Sequence, residues 1–289
     1  MKKYLLLLVV FIIIPVSSFC ETDYDNLERS FENLLEYVKN LLSNDRNYQY
    51  SNPPGGHPLY GGKVSASKNI QIPLVLNSRT DYYFFAGTNR TSVPFKIYRG
   101  SGTNGALIGE GMTPVEKANI IKHRIDIHGV YTIVLENPSR ESAFLTLLVL
   151  EAKNNRNLDL QGLVTPMNKL KEAFRDRGRG NSSLNVISDV ISFFGNLVNR
   201  RSYIRHEAQL PANHYEFLVS GITDIKVFVN DTGTSNFRNK DQDQPSIRSK
   251  GFSYGYFSLN TSRNYYFYID NENNYEAFAV GLLVLKPRN

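Results

Sequence analysis

The chain has 289 residues and a net charge of +6; 41% of the residues are hydrophobic and 12% aromatic, with 18 Tyr, 17 Phe and no Trp. This apolar content excludes collagen-like, coiled-coil and wholly disordered proteins. The one cysteine, Cys20, cannot supply a disulfide framework, an iron–sulfur cluster or a cysteine-bound zinc site, so these are excluded too.

Residues 1–20 have the pattern of a secretory signal peptide. Lys2 and Lys3 precede an unbroken apolar run, which extends from Leu5 to Ile14, and a short exit segment ends at Cys20. The run is shorter than a bilayer-spanning helix. We therefore expect secretion across a bacterial inner membrane, with the mature protein periplasmic, associated with the outer membrane or extracellular.

Two interpretations of Cys20 stay open. Residues 17–20 (SSFC) resemble the lipobox of bacterial lipoproteins, which would make Cys20 an acylated first residue, although Phe19 stands where that family has a small residue. Alternatively, an ordinary signal peptidase cuts near Cys20 and releases a free protein. No later segment reaches the ~20 apolar residues of a membrane-spanning helix. Membrane contact is therefore expected only through a lipid on Cys20.

The positive charge is not concentrated as it is in nucleic-acid-binding proteins. Arginines cluster only in two short stretches, residues 175–179 and 200–205. We expect no nucleic-acid partner.

Amphipathic stripes predict helices. The first stripe follows a start signal at Thr22 and Asp25, and its apolar residues recur at spacings of four and three: Leu27, Phe31, Leu34, Val38 and Leu41. A second stripe behind Ser182 and Ser183 predicts another helix with the residues Leu184, Ile187, Ile191, Phe194 and Val198. A shorter helix is predicted from Thr165 and Pro166 to Gly178. Each stripe lasts only about two heptads, which favours packing on the protein's own sheet over a partner helix.

Segments of the first half return in the second half in the same order. Residues 83–87 (YFFAG) and 95–98 (FKIY) are answered by residues 215–221 (YEFLVSG) and 225–228 (IKVF). Residues 130–137 (VYTIVLEN) and 142–150 (SAFLTLLVL) are answered by residues 264–271 (NYYFYIDN) and 276–285 (EAFAVGLLVL). Conserved order and spacing predict a duplicated domain.

These segments alternate apolar and polar residues with period two and are separated by turn residues, which predicts strands. The predicted fold is mainly β, with two tandem antiparallel β-sandwich, jelly-roll-like domains, each preceded by an α-helix. Residues 1–20 are the signal peptide. Residues 21–152 form a helix, a loop rich in Pro and Gly (residues 46–67) and the first sandwich, and residues 153–289 form linker helices and the second sandwich.

Two enzyme-like motifs do not fit their surroundings. Residues 251–255 (GFSYG) match a nucleophile elbow, but a strand pattern follows and the last histidine, His214, precedes them. Residues 100–105 (GSGTNG) match a dinucleotide fingerprint, but no helix-length segment follows to hold a pyrophosphate. We interpret the second motif as a turn between strands.

No metal or cofactor is expected from a recognised motif. The histidines show no familiar ligand spacing: His57, His123, His128, His206 and His214. Calcium is the one alternative that stays open, because acidic residues crowd two predicted turns, although no calcium-loop pattern is present: Asp231, Asp241 and Asp243 in one turn, and Asp270 and Glu272 in the other.

Aromatic runs place rings on both faces of their strands. One face must enter a core, while the other could stack on a sugar or contact a protein, because tyrosine combines apolar area with a hydrogen-bonding tip. The candidate ligand contacts are Tyr82, Tyr254, Tyr256, Tyr266 and Tyr268.

The repeated segments resemble the bacterial pre-peptidase C-terminal domain and related jelly-roll modules. The resemblance lies in residues 83–86, in residues 95–102 with their Gly-rich turn, and in residues 129–134 (GVYTIV). The second copy matches less well, because Arg263 or Asn264 stands where Gly129 would be. The resemblance implies a small β-sandwich that serves as an accessory or binding module of a secreted protein, and it implies no catalytic residue.

Together these patterns predict a secreted or envelope-associated, non-catalytic binding or adhesion protein that recognises an extracellular glycan or protein. A structural or accessory envelope subunit is one alternative, and it would bury its helix stripes against other chains. A hydrolase with an unrecognised site is a second alternative. The sequence leaves the ligand, the oligomeric state and the packing of the two sandwiches open.

Overall fold

A computed structural model describes residues 22–42, 47–51, 56–111, 117–153, 158–178, 184–221, 225–230, 247–249, 252–258 and 261–285. For residues 177–178, 230, 247–249 and 252–258 it describes the backbone alone. We refer to residues 22–153 as the N-terminal half and to residues 158–285 as the C-terminal half.

Among the described residues, each half contains one helix followed by nine strands. The helices are α1 (Asp23–Leu42) and α2 (Leu160–Gly178). The N-terminal strands are β1 (Tyr48–Tyr50), β2 (Leu59–Val64), β3 (Asn69–Leu76), β4 (Thr80–Thr88), β5 (Phe95–Arg99), β6 (Ala106–Gly111), β7 (Ala118–Ile125), β8 (Gly129–Glu136) and β9 (Ala143–Ala152). The C-terminal strands are β10 (Asn185–Val186), β11 (Phe193–Val198), β12 (Ser202–Leu210), β13 (His214–Gly221), β14 (Lys226–Asn230), β15 (Ile247–Ser249), β16 (Phe252–Ser258), β17 (Arg263–Asn271) and β18 (Ala277–Leu285).

The two halves share one sheet. This central, 11-stranded sheet has the order β15-β16-β13-β18-β11-β2-β9-β4-β7, with β1 also paired to β9 and β10 to β18. A four-stranded sheet, β3-β8-β5-β6, and a three-stranded sheet, β12-β17-β14, complete the fold. The pairs between named strands are antiparallel, so the predicted mainly β, antiparallel sandwich class with a helix before each set of strands is confirmed.

The halves meet where β2 pairs with β11, a contact that we call the β2–β11 junction. Its register joins Leu59 to Gly195, Tyr60 to Phe194, and Gly61 to Phe193. In the neighbouring pairs, Tyr60 faces Leu147 of β9, and Phe194 faces Gly281 of β18. Val64 is the sixth residue of β2 and faces Ala143, and Val198 is the sixth residue of β11 and faces Ala277. The Tyr60–Phe194 pair therefore joins equivalent positions, and a local pseudo-twofold axis passes through it.

Two cores form on opposite faces of the central sheet, and both contain residues of both halves. One core lies between the central sheet and the two smaller sheets and includes Tyr60, Phe84, Phe194, Phe217 and Phe267. The other lies beneath the helices and includes Leu59, Phe193, Leu27, Leu163 and Phe278. Adjacent residues such as Leu59 and Tyr60 enter different cores because successive strand residues point to opposite faces. The chain thus divides its cores by sheet face and not by half.

Helix α1 begins at the predicted position. Thr22 and Asp25 cap it reciprocally: Asp25 N donates to Thr22 Oγ1 at 3.2 Å, and Thr22 N donates to Asp25 Oδ2 at 3.0 Å. Four residues of the predicted stripe pack on the central sheet, with Leu27, Leu34 and Val38 fully buried, whereas the fifth, Leu41, is 49% exposed. Among the residues described, neither α1 nor α2 has an apolar stretch long enough to cross a membrane.

The helix predicted over residues 184–198 is wrong. These residues include β10 and β11, and the helix that precedes the C-terminal strands is α2, which begins earlier than predicted, at Leu160. Phe193 and Phe194 are both fully buried but lie in different cores. A helix can bury one stripe, whereas a central strand covered on both faces buries every residue, and this favours the strand.

The interpretation of residues 46–67 as a loop confined to the first copy is also wrong. This stretch contains β1 and β2, which pair with β9 as β10 and β11 pair with β18. The structure confirms the turn predicted at residues 100–105: it joins β5 to β6, with positive φ angles of 113° at Gly100 and 75° at Gly102.

Strand pairing also corrects the alignment of the two halves by one residue. In β4, Tyr82 faces Glu151, and in β13, Tyr215 faces Leu285, which is the counterpart of Glu151. Tyr215 therefore matches Tyr82 and not Tyr83. The difference matters because a shift of one residue exchanges the two faces of a strand.

One asparagine in each half closes the same turn. Asn137 Nδ2 donates to the carbonyl oxygens of Val64, Ser65 and Glu141 at 2.9–3.0 Å. Asn271 Nδ2 donates to those of Val198, Asn199 and Tyr275 at 2.9–3.3 Å. Each amide thus ties the end of the preceding β2 or β11 strand to the last hairpin of its half.

Gly281 tests the packing around the junction. A Cβ at this position would lie 2.8 Å from the Phe217 ring and 3.0 Å from the Phe194 ring. We expect Gly281→Val to lower the free energy of unfolding by about 1–3 kcal/mol, since an overpacked core must shift its side chains. Urea unfolding followed by circular dichroism measures this. The control is Gly129→Val, because nothing lies within 4 Å of a Cβ there; equal losses in both variants would contradict the account.

Candidate functional site

The outer face of the three-stranded sheet carries the main candidate site. Tyr265, Phe267 and Ile269 of β17 enter the core, so the residues between them face outward. The pairing with β12 and β14 brings further outward residues beside them. We call this surface the tyrosine face and define it as Tyr203, Arg205, Glu207, Phe228, Asn264, Tyr266 and Tyr268.

Aromatic and polar groups alternate on the tyrosine face. The Tyr203 ring is 40% exposed and lies 5.8 Å from the Tyr268 ring. The guanidinium carbon of Arg205 lies 5.3 Å from the centre of the half-buried Tyr266 ring, in cation–π range. Asn264 Nδ2 donates to Glu207 Oε1 at 2.8 Å. The face therefore offers a ring surface, a guanidinium, an amide and a carboxylate side by side.

The tyrosines predicted as ligand contacts divide into three groups. Tyr266 and Tyr268 are on the tyrosine face, but Tyr268 is only 1% exposed, so its ring is not accessible to a ligand. The interpretation of Tyr82 is wrong, because its ring is fully buried in the core and its hydroxyl accepts a hydrogen bond from Asn77 N at 3.1 Å. The side chains of Tyr254 and Tyr256 lie outside the described residues.

Sequence reasoning missed Tyr203 and Arg205. Both belong to the segment SYIRHEAQL, which alternates outward polar residues with inward ones and forms β12. The sequence comparison found no counterpart of this segment in the N-terminal half. One reason is that His206 stands where the N-terminal half has an apolar core residue. The alternation alone could have identified the outward set.

The equivalent face of the N-terminal half has a different chemistry. Strand pairing places Gln71, Pro73, Val130 and Thr132 where the tyrosine face has Arg205, Glu207, Asn264 and Tyr266. Val130 and nearby Leu107 are among the exposed large hydrophobic residues. These four positions carry no charge and no aromatic ring, whereas Lys96 and Tyr98 of β5, next to them, bring an ion pair with Glu136 and one ring to this surface.

A second cluster lies inside the β2–β11 junction and joins two histidines that the sequence left apart. The Phe194 ring stacks on the His206 ring at 4.0 Å and on the His57 ring at 4.8 Å, and the two imidazoles are 5.4 Å apart. Both histidines are buried. His57 comes from the N-terminal half, whereas Phe194 and His206 come from the C-terminal half.

Hydrogen bonds fix the two imidazoles. Asn196 Nδ2 lies 3.2 Å from the Gly56 carbonyl oxygen and 3.3 Å from His57 Nδ1. His57 N donates to Tyr60 Oη at 2.6 Å, and His206 Nε2 lies 3.3 Å from the Ile191 carbonyl oxygen. Burial lowers the pKa of His57 well below its ordinary value, and the neighbouring His206 lowers it further. Burial likewise lowers the pKa of His206 to about 4, against the opposing effect of its bond to Ile191.

Within the part of the chain that the structure describes, no three His, Cys, Asp or Glu side chains are placed to hold a metal ion. Of the calcium candidates, Asp231, Asp241 and Asp243 lie outside the described residues, as does the lipidation candidate Cys20. Asp270 is fully buried, and Glu272 forms an ion pair with Lys226. The described residues therefore provide no set of calcium ligands.

No protein-family model matches the sequence, and no curated protein matches it significantly. Among solved structures, the chain is similar to PliG, a periplasmic inhibitor of g-type lysozyme from Aeromonas hydrophila, with 15% identity, 35% of this chain and 93% of that chain covered, and a TM-score of 0.26. It is also similar to the tandem CBM22 domains of Paenibacillus barcinonensis Xyn10C, with 9% identity, coverages of 81% and 99%, and a TM-score of 0.22. For a lectin of Pleurotus ostreatus the identity is 8%, the coverages are 84% and 82%, and the TM-score is 0.21. Similarities this low do not extend to function.

Tyr60 tests the hydrogen bonding of the buried cluster. Tyr60→Phe would leave the buried His57 N–H without its acceptor, which costs about 1–3 kcal/mol of unfolding free energy. We expect a lower urea midpoint at pH 7 by that amount. Tyr98→Phe is the matched control, because Tyr98 is only half buried; a similar loss there would contradict the assignment.

Proposed function

We propose that this protein is a non-catalytic binding protein that acts at the cell envelope or outside the cell and holds a glycan on its tyrosine face. The observation that carries the proposal is the alternation of one exposed ring, Tyr203, and one half-buried ring, Tyr266, with hydrogen-bonding groups on one sheet surface. A glycan presents apolar C–H faces and many hydroxyl groups, so it needs both kinds of partner at once.

The rings and the polar groups have separate tasks in this proposal. Tyr203 and Tyr266 offer apolar area with a hydrogen-bonding tip to the C–H face of a sugar. Arg205 supplies N–H donors, Asn264 supplies an amide, and Glu207 supplies acceptors to the sugar hydroxyls.

The face is preorganised, which lowers the entropic cost of binding. β12 and β17 are paired along nine residues, from Ser202–Asn271 to Leu210–Arg263. The buried Tyr268 ring contacts the Tyr203 ring at 5.8 Å, and the Tyr266 ring already lies against the Arg205 guanidinium. The side chains that would meet the ligand therefore stand on rigid strands and not on loops.

A difference between the two halves supports placing the site in the C-terminal half. At the positions of Arg205, Glu207 and Tyr266, the N-terminal face has Gln71, Pro73 and Thr132. Thr132 Oγ1 is also engaged by the Gly-rich turn, since it donates to the Gly100 carbonyl oxygen at 2.8 Å. The N-terminal half thus serves as the structural partner of the binding half.

The alternative of an envelope subunit has less support than before. This alternative required the apolar stripes of the helices to pack against other chains, but most apolar residues of α1 and α2 lie in this chain's own core. Tyr24 of α1 also donates its hydroxyl hydrogen to the Met167 carbonyl oxygen of α2 at 2.6 Å, so the helices stabilise each other. No observation favours the hydrolase alternative.

Secretion belongs to the proposal as well, since the signal peptide and Cys20 lie outside the described residues. The apolar run of residues 5–14 is its support. The resemblance to pre-peptidase C-terminal modules points in the same direction, because such modules serve secreted bacterial proteins.

A glycan array tests the binding proposal with residues 21–289, the chain without its predicted signal peptide. We expect at least one class of glycan to bind, and the double variant Tyr203→Ala/Tyr266→Ala to bind it at least tenfold more weakly, because stacking area is lost. Tyr98→Ala on the N-terminal face is the matched control and should bind as the wild type does. Absence of any binding on glycan arrays, or equal losses in both variants, would overturn the assignment.

Metabolic labelling with a radioactive fatty acid tests the anchor. If Cys20 is acylated, the wild-type chain takes up label during expression in a Gram-negative host and Cys20→Ala does not. Label in neither chain would show that the lipobox resemblance is misleading and that the mature protein is free.

A further inference from the structure

The two buried histidines, His57 and His206, occupy positions at which the other half of the protein has isoleucine. In the small sheets, Ile72 of β3 faces Ile133, and His206 of β12 faces Phe267, which is the counterpart of Ile133. A fully apolar side chain therefore suits this position, and packing alone does not require histidine.

His57 has an isoleucine counterpart too. Pro58 O accepts a hydrogen bond from Val149 N at 2.7 Å, and Ser192 O accepts one from Leu283 N at 2.7 Å, so the residues before β2 and β11 match. His57 precedes Pro58 as Ile191 precedes Ser192. On one side of the pseudo-twofold axis the pair is His57 with His206, and the same two positions on the other side are Ile191 and Ile72.

The surroundings of the rings accept only neutral imidazoles. Because Asn196 Nδ2 is oriented by the Gly56 carbonyl oxygen, it presents a hydrogen to His57 Nδ1, which must accept. His206 Nε2 donates to the Ile191 carbonyl oxygen, so its proton is already placed. A second proton on His57 would meet the Asn196 N–H group head on, and a charge on either ring would be buried in the core with the other imidazole 5.4 Å away.

No carboxylate among the described residues compensates such a charge. Tyr60 in β2 is the other titratable group in contact, and its hydroxyl is engaged by His57 N. Arg205 and Glu207 flank His206 in β12, but they face outward on the tyrosine face. From β11 the cluster receives only Phe194 and Asn196, neither of which is charged.

We propose that the β2–β11 junction is an acid-labile joint: neutral His57 and His206 allow the two halves to share one sheet, and protonation of the pair in an acidic environment opens the contact between β2 and β11. The proposal goes beyond glycan binding and does not depend on it, because it concerns how the halves are held together.

The direction of the pH effect follows from linkage. In the unfolded or opened state both histidines have an ordinary pKa near 6.5, whereas in the closed state His206 has a pKa of about 4 and that of His57 is lowered as well. The opened state therefore binds more protons at mildly acidic pH. Stability is fully present above about pH 6.5 and is lost as the pH falls toward 4, with the opening equilibrium constant rising by up to tenfold per pH unit for each histidine.

The experiment compares wild type with His57→Ile/His206→Ile, which places in the junction the residues found at the equivalent positions. Hydrogen exchange by mass spectrometry is measured on both proteins at pH 7 and pH 5. At a given pH, the intrinsic exchange rate of an unprotected amide is the same in wild type and variant, except next to the mutated sites. A difference in exchange between the two proteins therefore reports a difference in opening. The control is His128→Gln, since His128 is exposed.

At pH 5, we expect peptides that cover residues 59–64 and 193–198 to exchange at least tenfold faster in wild type and in the control than in the double variant. Peptides of α1 should stay protected in all three proteins. If the double variant does not fold, His206→Ile alone serves, because Ile72 shows that this position accepts isoleucine. Equal protection in all proteins at pH 5, or a loss spread evenly over the chain, would overturn the proposal.

Discussion

Three residue pairs between β2 and β11 join two nine-stranded halves into one central sheet, and the remaining architecture depends on this contact. The pairing removes two sheet edges that would otherwise expose unpaired backbone groups. It also brings Tyr60 and Phe194 together on the pseudo-twofold axis. Close approach is possible there because small residues surround the rings: a Cβ at Gly61 would lie 2.9 Å from the Leu145 carbonyl oxygen, and one at Gly195 would lie 3.0 Å from Phe278.

The shared sheet explains how the protein is stable without disulfides. Each small sheet and each helix covers mainly its own half of the central sheet, yet the two cores run across the junction without interruption. A core of this length buries more apolar surface than two separate small sandwiches would, and larger units bury a greater fraction of their surface. The two halves have also diverged in chemistry at equivalent positions, so that one half has the tyrosine face and the junction contains histidines in place of isoleucines.

Much of the fold could be predicted from the sequence, because period-two alternation and cap signals are local. The strands around Tyr131 and Phe267 and the start of α1 at Thr22 belong to this group. Residues 184–198 were misinterpreted because a strand buried on both faces has no alternation, and its apolar spacing then matches a helix by coincidence. The candidate site was only partly predictable. Tyr82 and Tyr266 lie in similar aromatic runs, and only the pairing register decides which ring enters a core. The contact between His57 and His206 was invisible, because it depends on how the halves meet.

The most direct test of the shared sheet is to ask whether the two halves unfold together, with one engineered tryptophan as the reporter in each half. The natural chain contains no Trp, so Tyr98→Trp and Tyr203→Trp each provide a single fluorescent reporter, one in each half. Urea unfolding at pH 7 should give the same midpoint and the same slope for both reporters, because the junction is closed at this pH and the two cores that run across it unfold together. Two separate midpoints, with one half unfolding while the other stays folded, would contradict the account.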